Sequence, residues 1–429
     1  MEQGGREEKN GGFGKGRKIW LVLLVMLLAA GALAIPLFVH PEEGSSDEIV
    51  TGGENGQEDV LEEQPLEPIE LTIACVGDIM AHQTQITAAY DNSTGTYDFA
   101  DNYIYVKDYI ESVDLALCNV ETTFAGGKPT GYPSFNSPDS MAEDIKSVGF
   151  DVAITANNHM LDRKYRGMQR TIDVLRNAGL ITVGSHKEGE TTFTLVDVEG
   201  VRVGIVAYTY ETGGSGSNRT MNGSAMSVAS KEKINSFSYT VLDQDLAYLK
   251  KDIDDARAAG ADVIIAYLHW GEEYQRSANR WQKQIAETVA DFGADIIFAS
   301  HPHVLQPVTW LDDVPVFYSM GNFVSNQRAE TLDNRYTEQG MIANVTLTWD
   351  QERGIISDIA MDVLPTWVDR YPVGGKQAYY IIPLDRDLDQ NPTLAVSGHL
   401  QRAKQALDDV KSLVGEEFLN LRCFPDDTI

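Results

Sequence analysis

From Leu71 onward, short apolar runs alternate with stretches of helical spacing. The runs are LTIACV (71–76), DLALCNV (114–120), DVAITA (151–156), VRVGIVAYTY (201–210), DVIIAYLH (262–269), DIIFAS (295–300) and VPVFYS (314–319). Being nearly continuous in Val, Ile and Ala, they predict strands buried on both faces. Amphipathic spacing predicts helices over 101–112, 138–149, 167–179, 243–259 and 277–292. Between 341 and 364 the pattern alternates and turns at Glu352-Arg353-Gly354, which predicts a hairpin. Together these elements predict an α/β layered domain over 71–365. The segment 211–240, rich in Gly, Ser and Asn, is expected to be a mobile or functional loop. An extension over 366–429 is expected to pack back on the domain through a helix near 396–415.

Ahead of the domain the pattern is different. Residues 1–18 are polar and read as a cytoplasmic tail, and residues 19–39 form an uncharged apolar run of 21 residues. That length suffices to cross a hydrocarbon core of ~30 Å. Lys15, Arg17 and Lys18 precede the run and acids follow it, so the bulk of the chain is expected outside the cytoplasmic membrane of the cell. Ala32-Leu33-Ala34 resembles a signal-peptide cleavage site, but the apolar run continues beyond it, which favours an uncleaved anchor. Residues 40–70 hold eleven acids and no Lys or Arg, and read as a disordered acidic linker.

Composition changes this picture in one respect. With 64 acidic against 34 basic residues the chain carries a formal charge of -30, which argues against a nucleic-acid partner. An anionic substrate would need a cation between itself and the protein. Cys75, Cys118 and Cys423 show no CxxC spacing, which argues against a thiolate metal site; Cys75 and Cys118, inside apolar runs, read as buried free thiols, with a Cys75–Cys118 bridge as the alternative in an exported chain.

Candidate chemistry gathers where predicted strands end. Strand 71–76 leads into Asp78 and His82, 114–120 into Asn119 and Glu121, and 151–156 into Asn158, His159 and Asp162. Strand 262–269 delivers His269, Trp270, Glu273 and Tyr274, and 295–300 delivers His301 and His303. In α/β proteins such carboxyl ends converge on one site. Imidazoles, carboxylates and a side-chain amide suit Mn, Fe or Zn. In an extended segment His301 and His303 would face the same way as a chelating pair.

The ordered motifs GDIM (77–80), NVETT (119–123), ANNHMLD (156–162), HWGEEY (269–274), SHPHVLQP (300–307) and YSMGNFVSNQ (318–327) resemble the CapA family of bacterial capsule-synthesis proteins. The resemblance implies a calcineurin-like αββα sandwich, an association with poly-γ-glutamate, and two divalent metal ions. It implies Asp78 as ligand of the first ion, Glu121 as bridging acid and Asn158 as ligand of the second. His269, His301 and His303 would complete both sites, and His159 would act at the leaving group. Position 80 is Met where calcineurin-like enzymes carry His, and His82 is the nearest substitute. Asn119, Asp162 and Glu273 are expected to orient ligands, and Trp270, Tyr274 and Arg328 to contact substrate.

These readings lead to a membrane-anchored extracytoplasmic protein acting in synthesis, export or remodelling of an anionic capsule polymer, with the polymer or its membrane-bound synthetic machinery as partner. Two alternatives stand beside it: a cell-surface metallophosphoesterase or nucleotidase, and a non-catalytic scaffold for polymer export.

Overall fold

The computed structural model describes residues 66–215 and 218–423. The predicted tail, the apolar run 19–39 and the linker as far as residue 65 lie outside the described residues. No helix among the described residues is long and apolar enough to cross a membrane.

The chain first lays down parallel strands β1 (Ile69–Ile79), β2 (Leu115–Val120), β3 (Val152–Ile154) and β4 (Ile181–Val183). It then builds a second sheet from β5 (Phe193–Val198), β6 (Val201–Tyr210), β7 (Ser236–Phe237), β8 (Val263–His269), β9 (Ile296–Ser300), β10 (Val308–Leu311) and β11 (Val314–Phe317). Finally β12 (Asn322–Val324), β13 (Gln339–Asp350), β14 (Ile355–Val373) and β15 (Lys376–Pro383) return to the first sheet. The strand orders are β15-β14-β13-β1-β2-β3-β4, with β12 also on β1, and β7-β6-β8-β9-β11-β10, with β5 on β6.

Alternation along β1 sorts its side chains between two layers. Leu71, Ile73 and Cys75 enter a core shared with Val203, Ile205, Ile265 and Phe298 of the second sheet. Ala74 and Val76 face outward against helices α1 (Ser140–Ser147) and α2 (Lys164–Asn177), through Met141, Ile145 and Leu175. On the outer face of the second sheet lie α3 (Leu242–Ala258) and α4 (Arg280–Asp291). Two sheets face to face, with helices outside each, are the α/β layering that the apolar runs predict. Cys75 lies in the inner core and Cys118 in the outer one, and both are free thiols.

Three boundaries differ from the sequence reading. Strand β1 starts at Ile69, inside the predicted linker, because Gln351 Nε2 donates to Glu67 O and the Leu66 N–H to Glu352, holding the chain against the hairpin. The boundary at 365 falls in mid-strand: β14 runs on to Val373 and pairs with β15. The C-terminal helix α5 (Leu400–Val414) places Val410 and Val414 in the inter-sheet core, so it belongs to the domain itself. Within segment 211–240, Met221 and Met226 pack on Met160, Leu161 and Met168.

Candidate metal centre

Both sheets send the carboxyl ends of parallel strands toward one place. At β1 the register skips Gly77, so that Val76 pairs with Cys118 but Asp78 with Asn119. This bulge re-aims Asp78. A Cβ on Gly77 would lie 2.0 Å from Gly321 O, the carbonyl that accepts the Asp78 N–H, so the GD and GNF motifs require each other. On the second sheet His301 (φ 107°) and His303 (φ 57°) both adopt left-handed backbone, as does Tyr274 (φ 65°). The HPH segment is therefore a strained turn rather than an extended pair, a strain that surrounding structure must hold.

Glu121 occupies the middle. It is fully buried, and neither carboxylate oxygen has a hydrogen-bond partner. Three imidazole nitrogens surround its Oε1: His159 Nε2 at 3.9 Å, His269 Nε2 at 3.8 Å and His303 Nε2 at 3.9 Å. His301 is buried, with Nδ1 unpartnered. Two ligand sets, Glu121 with His301 and His303, and Asp78 with Glu121 and His269, each bring their donor atoms within 4.8 Å of one another. A buried carboxylate without a donor is costly, and imidazole with carboxylate is a donor set for a divalent transition metal. The residues fit such ions, with Glu121 common to both sets.

Around the ligands sits a polar scaffold. Asn119 Nδ2 donates to Asp78 Oδ1 at 2.8 Å, and His303 Nδ1 lies 2.9 Å from Asp78 Oδ2. His269 Nε2 meets Asn158 Oδ1 at 2.8 Å. Asp162 Oδ2 accepts the Phe135 N–H at 2.7 Å and lies 2.8 Å from His159 Nδ1, leaving Nε2 turned toward Glu121. Burial, and then the charge of Asp78, push the Glu121 carboxyl well above the usual range. Burial acts the same way on Asp78, but the hydrogen bond and charge of His303 outweigh it and leave Asp78 low. Burial lowers His269 to about 3 and His301 well below the usual imidazole range, so both keep free lone pairs at neutral pH.

Asp78, Glu121, Asn158, His159, His269, His301 and His303 thus come together, with Asn119 and Asp162 supporting them. Other candidates sit differently. His82 Nδ1 faces the Asn326 N–H at 3.3 Å and its ring packs edge-on to Phe135, so it stands outside both ligand sets. Trp270 is fully buried, donates to Tyr318 O and stacks on Tyr318, so it belongs to the core rather than to a cleft. Arg328 is also fully buried, bonded to Val368 O and paired with Glu338, and it is structural. Glu273 is exposed, and its charge reaches Glu121. Tyr274 is half-buried beside His303, with ring centroids 6.2 Å apart.

Two neighbours escaped the sequence reading. Tyr210, the last residue of β6, lays its ring 4.5 Å from that of His301. Asn222, in left-handed backbone at the tip of a short hairpin, brings Nδ2 to 3.3 Å from His159 Nδ1. Asn222-Gly223 is a turn signal inside the Gly- and Ser-rich segment, and it marks the tip without saying where the tip lands.

Fold and site define a mixed α/β protein with a buried histidine–carboxylate centre suited to divalent metal. Residues 72–327 match the family model described as bacterial capsule synthesis protein PGA_cap, and the chain belongs to that family. It is 31% identical over 270 residues to the capsule biosynthesis protein CapA of Bacillus anthracis, a match covering 60% of each chain. To the PGA biosynthesis protein CapA of Bacillus subtilis it is 31% identical over 187 residues, covering 43% of this chain and 44% of the relative. The matched part is therefore well short of either relative's full length. Among solved structures, a phosphatase from Mycoplasma pneumoniae is 12% identical over 70% of this chain and 95% of its own, with a TM-score of 0.38. That likeness is too slight to argue from.

Proposed function

We propose that this protein is a metal-binding accessory factor in the making, export or remodelling of an anionic, poly-γ-glutamate-type capsule polymer. We further propose that its domain has the calcineurin-like arrangement and holds two divalent transition-metal ions, with the apolar run 19–39 anchoring it so that the domain lies outside the cytoplasmic membrane. Family membership supports the role, and Glu121, fully buried with two unpartnered oxygens, carries the metal reading. Such ions supply Lewis acidity and positive charge. Asp78, Glu121 and His269 would hold one ion, and Glu121, His301 and His303 the other. Asp162 fixes the His159 ring through Nδ1, so that Nε2 can accept or return a proton at the centre. Met80 is buried and brings no ligand where the resemblance implies His, which leaves the first ion to Asp78, His269 and the bridge. Metal analysis of the full-length protein, purified in detergent without chelator, should find close to two equivalents, falling in Glu121→Gln. Less than about half an equivalent in the unaltered protein would sink this reading.

The intact His159–Asp162 pair favours hydrolysis as the chemistry, and a cell-surface phosphoesterase is the second reading. Turnover of a phosphodiester or phosphomonoester by the metal-loaded protein, lost in His159→Asn, would establish it. Unaltered polymer production by a His159→Asn strain would instead point to a scaffold.

A further inference from the structure

Of the seven residues that meet at the centre, His159 is the most exposed, at 5%, so the approach to the centre lies on its side. The wall there is aromatic. Phe135 sets its ring edge-on to His159 and to His82, with centroids 4.7 Å and 5.1 Å away. Tyr132 meets Phe135 at 6.4 Å and stands 72% exposed beyond it. Tyr274, beside His303, adds a second ring. Burial, then the charge of Glu273, raise its hydroxyl, and Tyr132 and Glu121 add to the rise, so Tyr274 lies within electrostatic reach of both.

A lone exposed tyrosine needs no explanation, but the loop carrying this one is held firmly. Thr130 and Asn136 exchange backbone hydrogen bonds of 3.0 and 2.8 Å across its base. Asn136 Nδ2 donates to Gly126 O, and its Oδ1 accepts the Ala125 N–H at 2.7 Å. A Cβ on Gly131 would come within 2.3 Å of the Gln83 nitrogen, so the loop lies directly on the backbone that follows His82. Ser134 Oγ donates to Asp162 O, and the Phe135 N–H to the Asp162 carboxylate, the group that fixes the His159 ring. The loop and His159 are thus tied to one residue, which gives Tyr132 a set place relative to the centre. An aromatic face held in position gives up little entropy when it binds. Glu273 is exposed beside Tyr274, so a second anion lying on these rings would be repelled and a neutral group would not.

We infer that Tyr132 contacts the substrate, stacking on a neutral planar group, an aromatic ring or an amide plane, borne next to the anionic group that the metal ions hold. This rests on the two-ion reading proposed above. Calorimetry on the manganese-loaded full-length protein tests it with methylphosphonate, phenylphosphonate and acetamidomethylphosphonate, which share the anion and differ in the planar group. At least one of the two planar probes should bind about three- to ten-fold more tightly than methylphosphonate, the gain expected of a stacked ring. Tyr132→Ala should erase that preference, and Tyr132→Phe, which keeps the ring, should retain it. A gain with phenylphosphonate alone would assign the planar group to an aromatic ring, and a gain with the acetamido probe alone to an amide plane. Equal affinity for all three in the unaltered protein, or a preference that survives Tyr132→Ala, would overturn the inference. No binding of any probe to protein that holds two equivalents of manganese would overturn it too and leave the metal reading standing, whereas failure to take up manganese would overturn both.

Discussion

Two buried glutamates receive opposite treatment in this molecule. Glu338 is 2% exposed, and protein donors close both its oxygens: the Ala329 N–H, the Trp367 indole and the Arg402 guanidinium. Arg328 lies at 3.3 Å as a further cation. Glu121 is 0% exposed and has no donor at all, only imidazole nitrogens standing off at 3.8–3.9 Å. The first arrangement is complete as folded and ties the segment after β12 to α5. The second finds no donor within the fold, and the metal ions proposed above would supply the missing charge. Burial alone does not separate structural from functional charge; the origin of the compensating charge does.

The contrast is open to direct attack. Glu338→Ala should destabilise the protein by ~3–5 kcal/mol in urea unfolding, because it strands the buried Arg328. Glu121→Gln should leave the metal-free protein as stable as before, or more so, since it removes a buried carboxyl without donors. Equal losses from the two would break the comparison. In metal affinity the order reverses: Glu121→Gln and His301→Ala should each lower it by roughly 100-fold or more, whereas Asn119→Ala, which frees Asp78 from one support, should cost about 10-fold.

The dependence on pH sharpens the same point. In the metal-free chain burial raises the Glu121 carboxyl and so favours its protonated form, from which metal uptake would expel a proton. Affinity should therefore rise with pH, by up to about ten-fold per unit, as read by competitive titration between about pH 5.5 and 7.5. A flat profile would remove Glu121 from the ligand set. His269, at about 3, adds no slope in that range. Its effect falls on stability: because its folded value lies below the unfolded one, the metal-free protein should lose stability as pH falls from about 6.5 toward 3. The smallest effect is expected at the surface, where Lys250→Ala breaks an exposed pair with Asp254 and should cost no more than ~0.5 kcal/mol.

Much of this was legible in the sequence, for identifiable reasons. Strands buried on both faces leave unbroken Val and Ile runs, so β6 matches its predicted span and the hairpin turn falls where predicted. The residues that converge on the centre directly follow those runs, which is why they could be picked out. What could not be read depends on where distant segments land. Trp270 and Tyr274 are four residues apart, yet one stacks in the core and the other borders His303. Arg328 reads as a loop cation until β14 and the turn before β13 close over it with Val368 and Glu338. The left-handed turn at His301 and His303 has no local signal, since no glycine marks it. Asn222 reaches His159 across 63 residues, through packing of Met221 that no periodicity announces.

The ligands also fix a point in time. Asp78 and His303 meet across 225 residues, and each ligand set draws on both sheets. A nascent chain still lacking residue 303 already contains Asp78, Glu121 and His269, but not the set of Glu121, His301 and His303 in full. On the proposed reading, full loading would therefore wait for His301 and His303, and the last ion captured would be one available in the compartment where they dock. Mixed metal content after overproduction inside the cell would then reflect the place of folding more than the preference of the site.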